Sequence, residues 1–319
     1  MRHVLSHRRP ILSRMNLAPF LSSLAVGTPV LFGDVTLLPL LGKPGLDLFR
    51  VDLLDEGMRD GRTVVTEIDR EGRVNEVLVA HRGPNLLLLL DGEQILGAKQ
   101  NRVVNASFLV AAGETTAIPV SCVERGRWEA RGDEFAAADA TIAPTMRARK
   151  LARVTRSVLE NGAYDADQHA VWRDVDEHLH ATKTSSPTSA YEDGARGDGA
   201  QTERRLGELA PLEHQLGLAM LRRGKFVLAE VFGTPELFAR AWRKVARGLL
   251  VEAKTARKST GASLAPGRAR RALAWLAELP TRRSPAPGRG ETIHGSGEVG
   301  TVSAIVHEGR VFHLVGAAA

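Results

Sequence analysis

The run Gly97-Ala98-Lys99-Gln100-Asn101-Arg102, with Asn105 close behind it, is the densest set of polar side chains in this sequence, and it interrupts two apolar segments. Lys99 and Arg102 carry the multiple N–H donors that suit a phosphate or carboxylate, and Gln100 and Asn101 can read amide or hydroxyl groups. The same donors satisfy backbone groups in an irregular turn or bulge, so ligand binding and a structural role are both open at this point. A second cluster follows at Ser121 to Trp128. Glu124 closes an apolar alternation, where it can serve as a general acid/base or pair with Arg127. Trp128 can stack on Arg127 or on a planar ligand, or simply pack. Cys122 reads as a small core residue, because a nucleophile needs a base and thiolate stabilisation beside it.

A third group sits on a helical pattern. His169, Trp172, Arg173 and Asp176 follow i, i+3, i+4, i+7 spacing and share a face, with Trp172 placed to dock that helix on the β-rich part. Asp165, Asp167 and His169 imitate a metal set, yet acidic residues open helices routinely and no second histidine follows at i+4, so no metal is expected. Gly295 to Gly300 spells G-x-G-x-x-G, but a strand pattern follows where a dinucleotide fold needs a helix. No cofactor is expected. The Gly-x-Ser-x-Gly elbow of a serine hydrolase is absent from the sequence.

The elements that must position these groups come in two styles. Before position 145 the pattern is of short strands: Val35 to Leu40, with Pro39 suiting an edge; Thr63 to Ile68 and Val74 to Ala80 around an Asp69-Arg70-Glu71-Gly72 turn; Leu86 to Leu90, ended by an Asp91-Gly92 hairpin signal; and alternations at Ala106 to Val110 and Ile118 to Cys122. After it, Met146 to Glu160 reads as a helix with Leu151, Val154 and Val158 on one face, stopped at Asn161-Gly162. Arg147, Arg149, Lys150, Arg153 and Arg156 read as its solvated basic face, which lacks the interleaved aromatics of a nucleic-acid surface. A helix from Asp165 to about His180 follows. Residues 218–228 and 302–312 then share one pattern: apolar strand, Gly turn, basic residue, apolar strand. They are expected as two hairpins in one antiparallel sheet, with helices from Pro235 and Pro266 on one face.

The expected fold class is therefore α+β. A β-sandwich-like or partly open barrel domain occupies 17–145, and an α+β domain of hairpins and helices occupies 146–319, with a mobile loop at 182–205 and a linker at 280–290. Residues 1–16 are basic and read as a disordered leader, with Met15 as an alternative start to Met1. At 319 residues, 43% hydrophobic and 25% charged, the chain can bury two real cores. One cysteine excludes an intrachain disulfide and any Cys-cluster metal site. A formal charge of +6 favours anionic partners only weakly, and no apolar run reaches membrane-spanning length.

Leu90 to Glu93 with Gly97 to Arg102, Ile118 to Glu124, and Gly126-Arg127-Trp128 closely resemble the ARG and rhodanese-phosphatase-superfamily-associated protein domain. Asp167-Gln168, Ala170-Val171-Trp172, Ser186-Pro187-Thr188 and Val306 to Val311 extend the likeness, which covers nearly everything from about Leu37 onward. The family name implies association with ADP-ribosylglycohydrolases and rhodanese-type phosphatases, hence a place near NAD or ADP-ribose metabolism; a cytoplasmic location is a separate expectation. It implies no reaction. Two functions stand as expectations. In the first, a phosphorylated nucleotide or ADP-ribose-like small molecule is held by Lys99, Gln100, Asn101, Arg102, Arg127 and Trp128, with Gln168 and Trp172 as further candidates and Glu124 as the acid/base if chemistry occurs. In the second, the chain is a non-catalytic module that docks a partner enzyme, and the motif only locks the fold.

Overall fold

The computed structural model describes residues 17–43, 50–69, 73–130, 132–197, 199–256 and 266–319. The expected leader at 1–16 and most of the turn at 69–72 lie outside them. The first part of the chain forms α1 (Leu17–Ser22), β1 (Ala25–Val26), β2 (Val30–Phe32), β3 (Val35–Leu41), β4 (Val51–Leu53), α2 (Leu54–Arg59), β5 (Thr63–Thr66), β6 (Glu76–His81), β7 (Leu86–Leu89), β8 (Glu93–Gly97), β9 (Arg102–Val104), β10 (Phe108–Val110), β11 (Thr115–Cys122) and β12 (Phe135–Thr141). The rest forms α3 (Pro144–Asn161), α4 (Gln168–Ala181), α5 (Tyr191–Ala195), α6 (Gly199–Glu208), β13 (Gln215–Arg222), β14 (Lys225–Phe232), α7 (Pro235–Lys254), α8 (Pro266–Glu278), β15 (Thr281–Pro285), β16 (Glu291–Gly297), β17 (Gly300–His307) and β18 (Arg310–Ala318). The class is α+β, as expected. Among the described residues no helix is long and apolar enough to cross a membrane.

Three sheets carry the strands. A nine-stranded sheet runs β1-β3-β13-β14-β18-β17-β16-β15, with β2 also on β3; a six-stranded sheet runs β12-β8-β9-β11-β6-β5; and β10-β7-β4 form a third. The two repeated segments are indeed hairpins of one antiparallel sheet, β13–β14 and β17–β18. Their turns are the two-residue pairs Arg223-Gly224 and Glu308-Gly309, all four residues at positive φ, the geometry whose twist matches the strands. The G-x-G-x-x-G string lies in the β16–β17 hairpin.

Several local expectations change. Helices cover both faces of the large sheet, not one. Leu218 and Met220 of β13 pack with Phe238 and Trp242 of α7, while Ala219 and Leu221 pack with Leu273 and Leu276 of α8. A strand apolar at nearly every position is what such double coverage requires. Pro39 is not on an edge, since β3 has β13 on one side and β1 and β2 on the other. The missing N–H is tolerated because β2 pairs only as far as Leu37 and β1 begins at Leu40, leaving Pro39 opposite their junction. Asp91-Gly92 makes its turn, with Gly92 at φ 76°, but does not close a hairpin. Leu90 leaves the three-stranded sheet and Glu93 enters the six-stranded one. Within 182–205 lie α5 and the first part of α6, and within 280–290 lies β15.

Candidate functional site

The segment 98–101 is the loop of the β8–β9 hairpin, entered through Gly97 at φ 118° and Ala98 at φ 39°. Such a loop leaves carbonyls without ladder partners, and the side chains around it take them up. Arg127 Nη1 donates to the Ala98 carbonyl at 2.5 Å and to that of Glu129 at 2.9 Å. Its Nη2 reaches the Gly97 carbonyl and Asn101 Oδ1, both at 3.3 Å. Nε and Nη2 also form a two-pronged pair with Glu124 Oε1 at 2.9 Å and Oε2 at 2.6 Å. Both residues are buried, at 6% and 2% exposure. Every donor direction of this guanidinium is thus committed to the chain itself.

The remaining motif residues complete the same assembly. Asn101 Oδ1 accepts from the Gly97 N–H at 3.0 Å, and the Asn101 N–H donates to Glu124 Oε2 at 3.2 Å. Gln100 is buried and donates to the Glu124 carbonyl at 3.0 Å, while its Oε1 accepts from Arg102 Nη1 at 2.9 Å. Arg102 is wholly buried, with Glu67 at 3.7 Å as its carboxylate neighbour, and burial pulls its guanidinium below the usual range. Trp128 is the exposed member. Lys99 Nζ and the Arg102 guanidinium stand 5.2 and 5.6 Å from its ring centroid, so the indole lies over these cations.

Segments distant in sequence converge here too. Thr188 Oγ1 donates to Glu124 Oε1 at 2.8 Å, and Gly126 passes so close to Thr188 that a Cβ would fall 2.9 Å from its Cα. Gln168 Oε1 and Nε2 bond the N–H and carbonyl of Cys122, both at 2.8 Å, as a neighbouring strand would. Asp167 caps α4 by accepting from the Ala170 N–H at 3.1 Å. Trp172 stands edge-on to His169, centroids 5.4 Å apart, on the helix that packs against β11. Replacing Gln168 by leucine strands two strand-end backbone groups, and we expect a loss of about 2 kcal/mol in urea unfolding.

The electrostatics run against acid/base chemistry. Burial pushes Glu124 up, but the hydrogen bonds from Arg127, Thr188 and the Asn101 N–H outweigh it and hold the carboxyl below its ordinary value. Burial pushes the Cys122 thiol up, away from a thiolate. A hollow of about 300 Å³ does open beside the pair, between Asn101, Thr188 and Arg196. Glu124, Glu192 and Asp193 border it along with Arg127 and Arg196, so it has no cationic excess with which to draw a phosphate. Among the described residues no cluster of histidine, cysteine and carboxylate side chains could hold a metal ion.

One polar assembly went unread in the sequence. Arg147 and Lys150, expected on a solvated helix face, are buried instead. Arg147 makes a two-pronged pair with Glu230 of β14 at 2.9 and 2.8 Å and reaches Asp91 at 3.2 Å. Lys150 Nζ donates to Asp91 Oδ2 at 2.8 Å and to the Val104 and Asn105 carbonyls. His313 of β18 lies 3.0 Å from Glu230 Oε1 through Nε2 and 2.7 Å from Ser107 Oγ through Nδ1. Serine, histidine and carboxylate are in triad order, but all three are buried, so no substrate reaches the hydroxyl. The signal was present: Arg147, Leu151, Val154 and Val158 share the apolar stripe, and Glu230 and His313 each stand alone in an apolar strand.

Burial also predicts a pH response. The Arg147 pair outweighs burial and holds Glu230 down at about 2, below the ordinary 4.5, so its contribution is full above 4.5 and is lost as pH falls towards 2. Burial holds His294 and His178 at about 4, below the ordinary 6.5. Their unfolded forms take up protons first, so stability is lost as pH falls from 6.5 to 4, by roughly 3 kcal/mol for the fully buried His294. Urea midpoints between pH 7 and pH 4 should show this fall, and His294→Leu should flatten part of it.

The fold and this site define a class: an α+β protein whose signature polar motif ties hairpin loop, strand end and helix into one buried knot. The match of its family model to residues 23–317 places the chain in the ARPP-1 family, the ARG and Rhodanese-Phosphatase-superfamily-associated Protein domain. No curated protein and no solved structure matches the chain.

Proposed function

We propose that this chain is a non-catalytic association module that docks onto an enzyme of the kinds its family name records, and that its signature motif holds the module in shape. The observation that carries this reading is the Arg127 guanidinium, whose donors all go to Glu124, Asn101 and the carbonyls of residues 97, 98 and 129. A site that waits for an anion keeps donors uncommitted and reachable. Here the most exposed member of the motif is an indole, and the neighbouring hollow has more carboxyl groups than guanidinium groups.

The test is biochemical. The purified chain is mixed with a purified ADP-ribosylglycohydrolase and, separately, with a rhodanese-type phosphatase, and association is followed by size-exclusion chromatography with light scattering. In parallel the chain alone is assayed for turnover of ADP-ribose and NAD. A complex with one of the enzymes, and no turnover by the chain alone, is the expected pair of results. Turnover abolished by Glu124→Gln in a folded variant would replace this reading with an enzymatic one.

A further inference from the structure

We propose that the groove between α3, the β13–β14 turn and the last residues of β18 is the docking surface, and that it takes an acidic segment with apolar side chains from a protein partner. This rests on the association reading above and names where the partner binds. The groove measures about 690 Å³ and is open to solvent. Its apolar lining is Ala148 and Ala152 of α3, Val227 of β14 and Ala318 of β18, together with Phe226. Such a lining gains from burying leucine- or valine-sized groups.

The rim decides the sign of the occupant. Arg149, Arg153, Arg222, Arg223 and Lys225 line the groove, and among the described residues no acidic side chain does. The carboxylates that pair with these arginines lie mostly beneath them. Asp34, Glu252 and Asp174 are 2%, 2% and 7% exposed, while Arg149 and Arg223 present 48% and 58% of their side chains. Glu177, which pairs with Arg149, is exposed but outside the lining. Lys225 is exposed, and its ammonium group makes no hydrogen bond or ion pair among the described residues. Among the described residues, the side chains that the rim exposes most are cationic, those of Arg149, Arg223 and Lys225. An acidic peptide meets these cations on approach and places its apolar side chains on the apolar lining. A second copy of the chain would bring like charges together. A nucleic acid would find only one aromatic ring among the described lining residues on which to stack its bases.

The experiment uses the full chain and a fluorescent twelve-residue peptide of alternating leucine and glutamate, with the lysine counterpart as control. Fluorescence anisotropy should show saturable binding of the acidic peptide that weakens with salt, and little binding of the basic one. Lys225→Glu should weaken binding about tenfold or more, Lys225→Arg should restore it, and Ala152→Trp, which fills the groove, should remove it. Circular dichroism confirms that each variant is folded. Absence of binding, equal binding of the basic peptide, or binding unaffected by both Lys225→Glu and Ala152→Trp overturns the proposal. So does tighter binding of single-stranded oligonucleotides or anionic vesicles than of the peptide. If an enzyme partner still associates with the Lys225→Glu and Ala152→Trp chains, the docking surface is wrong while the association reading stands.

Discussion

Glu230→Ala lowers the unfolding free energy by about 3–5 kcal/mol, the effect expected when one member of a buried ion pair is removed and the other is left. The reason is a closed charge set. Asp91 and Glu230 face Arg147 and Lys150 in a buried layer where α3 meets β14, β18 and the start of β8. Removing Glu230 leaves one buried positive charge in excess and takes away the acceptor of His313. Replacing Arg147 by methionine together with Glu230 by leucine leaves Asp91 and Lys150 as a balanced pair. The double variant should therefore be more stable than either single one, as urea unfolding of the set will show.

The second large effect concerns the signature motif. Arg127→Ala leaves the Glu124 carboxylate buried with only Thr188 and the Asn101 N–H, and frees the carbonyls of residues 97 and 98. A loss of about 3–5 kcal/mol is expected at pH 7. A double-mutant cycle with Glu124→Gln should return a coupling of roughly 2 kcal/mol or more. Because Glu124 is held below its ordinary value when folded, that coupling is full above 4.5 and shrinks as acid protonates the carboxyl. A ligand-gripping arginine would behave differently: its removal would abolish binding and leave stability nearly intact.

What could be read in advance followed from local chemistry. Gly162 ends α3 in the left-handed conformation, Pro235 opens α7, and the paired hairpin turns announce themselves through Gly224 and Gly309. The pairing of Glu124 with Arg127 was one of two readings that their spacing allowed, and it is the contact observed. The unread parts depend on residues far apart in sequence. The place of Arg147 on the apolar stripe hints at burial, but its partners stand 56 and 83 positions away and cannot be read locally. Likewise nothing near Asp91-Gly92 tells that the chain changes sheets there, because the strands that receive it form later. The charged face of α3 divides accordingly: Arg147 and Lys150 point into the molecule, while Arg149 and Arg153 line the groove.

Thermal unfolding of the intact chain, titrated with ADP-ribose, NAD and inorganic phosphate to millimolar concentration, tests the central claim most directly. A ligand held by the motif at a hundredfold its Kd adds about 2.7 kcal/mol and a visible rise in Tm. The account predicts no change in Tm with any of the three. A concentration-dependent rise that disappears in Trp128→Ala or Lys99→Ala would contradict it.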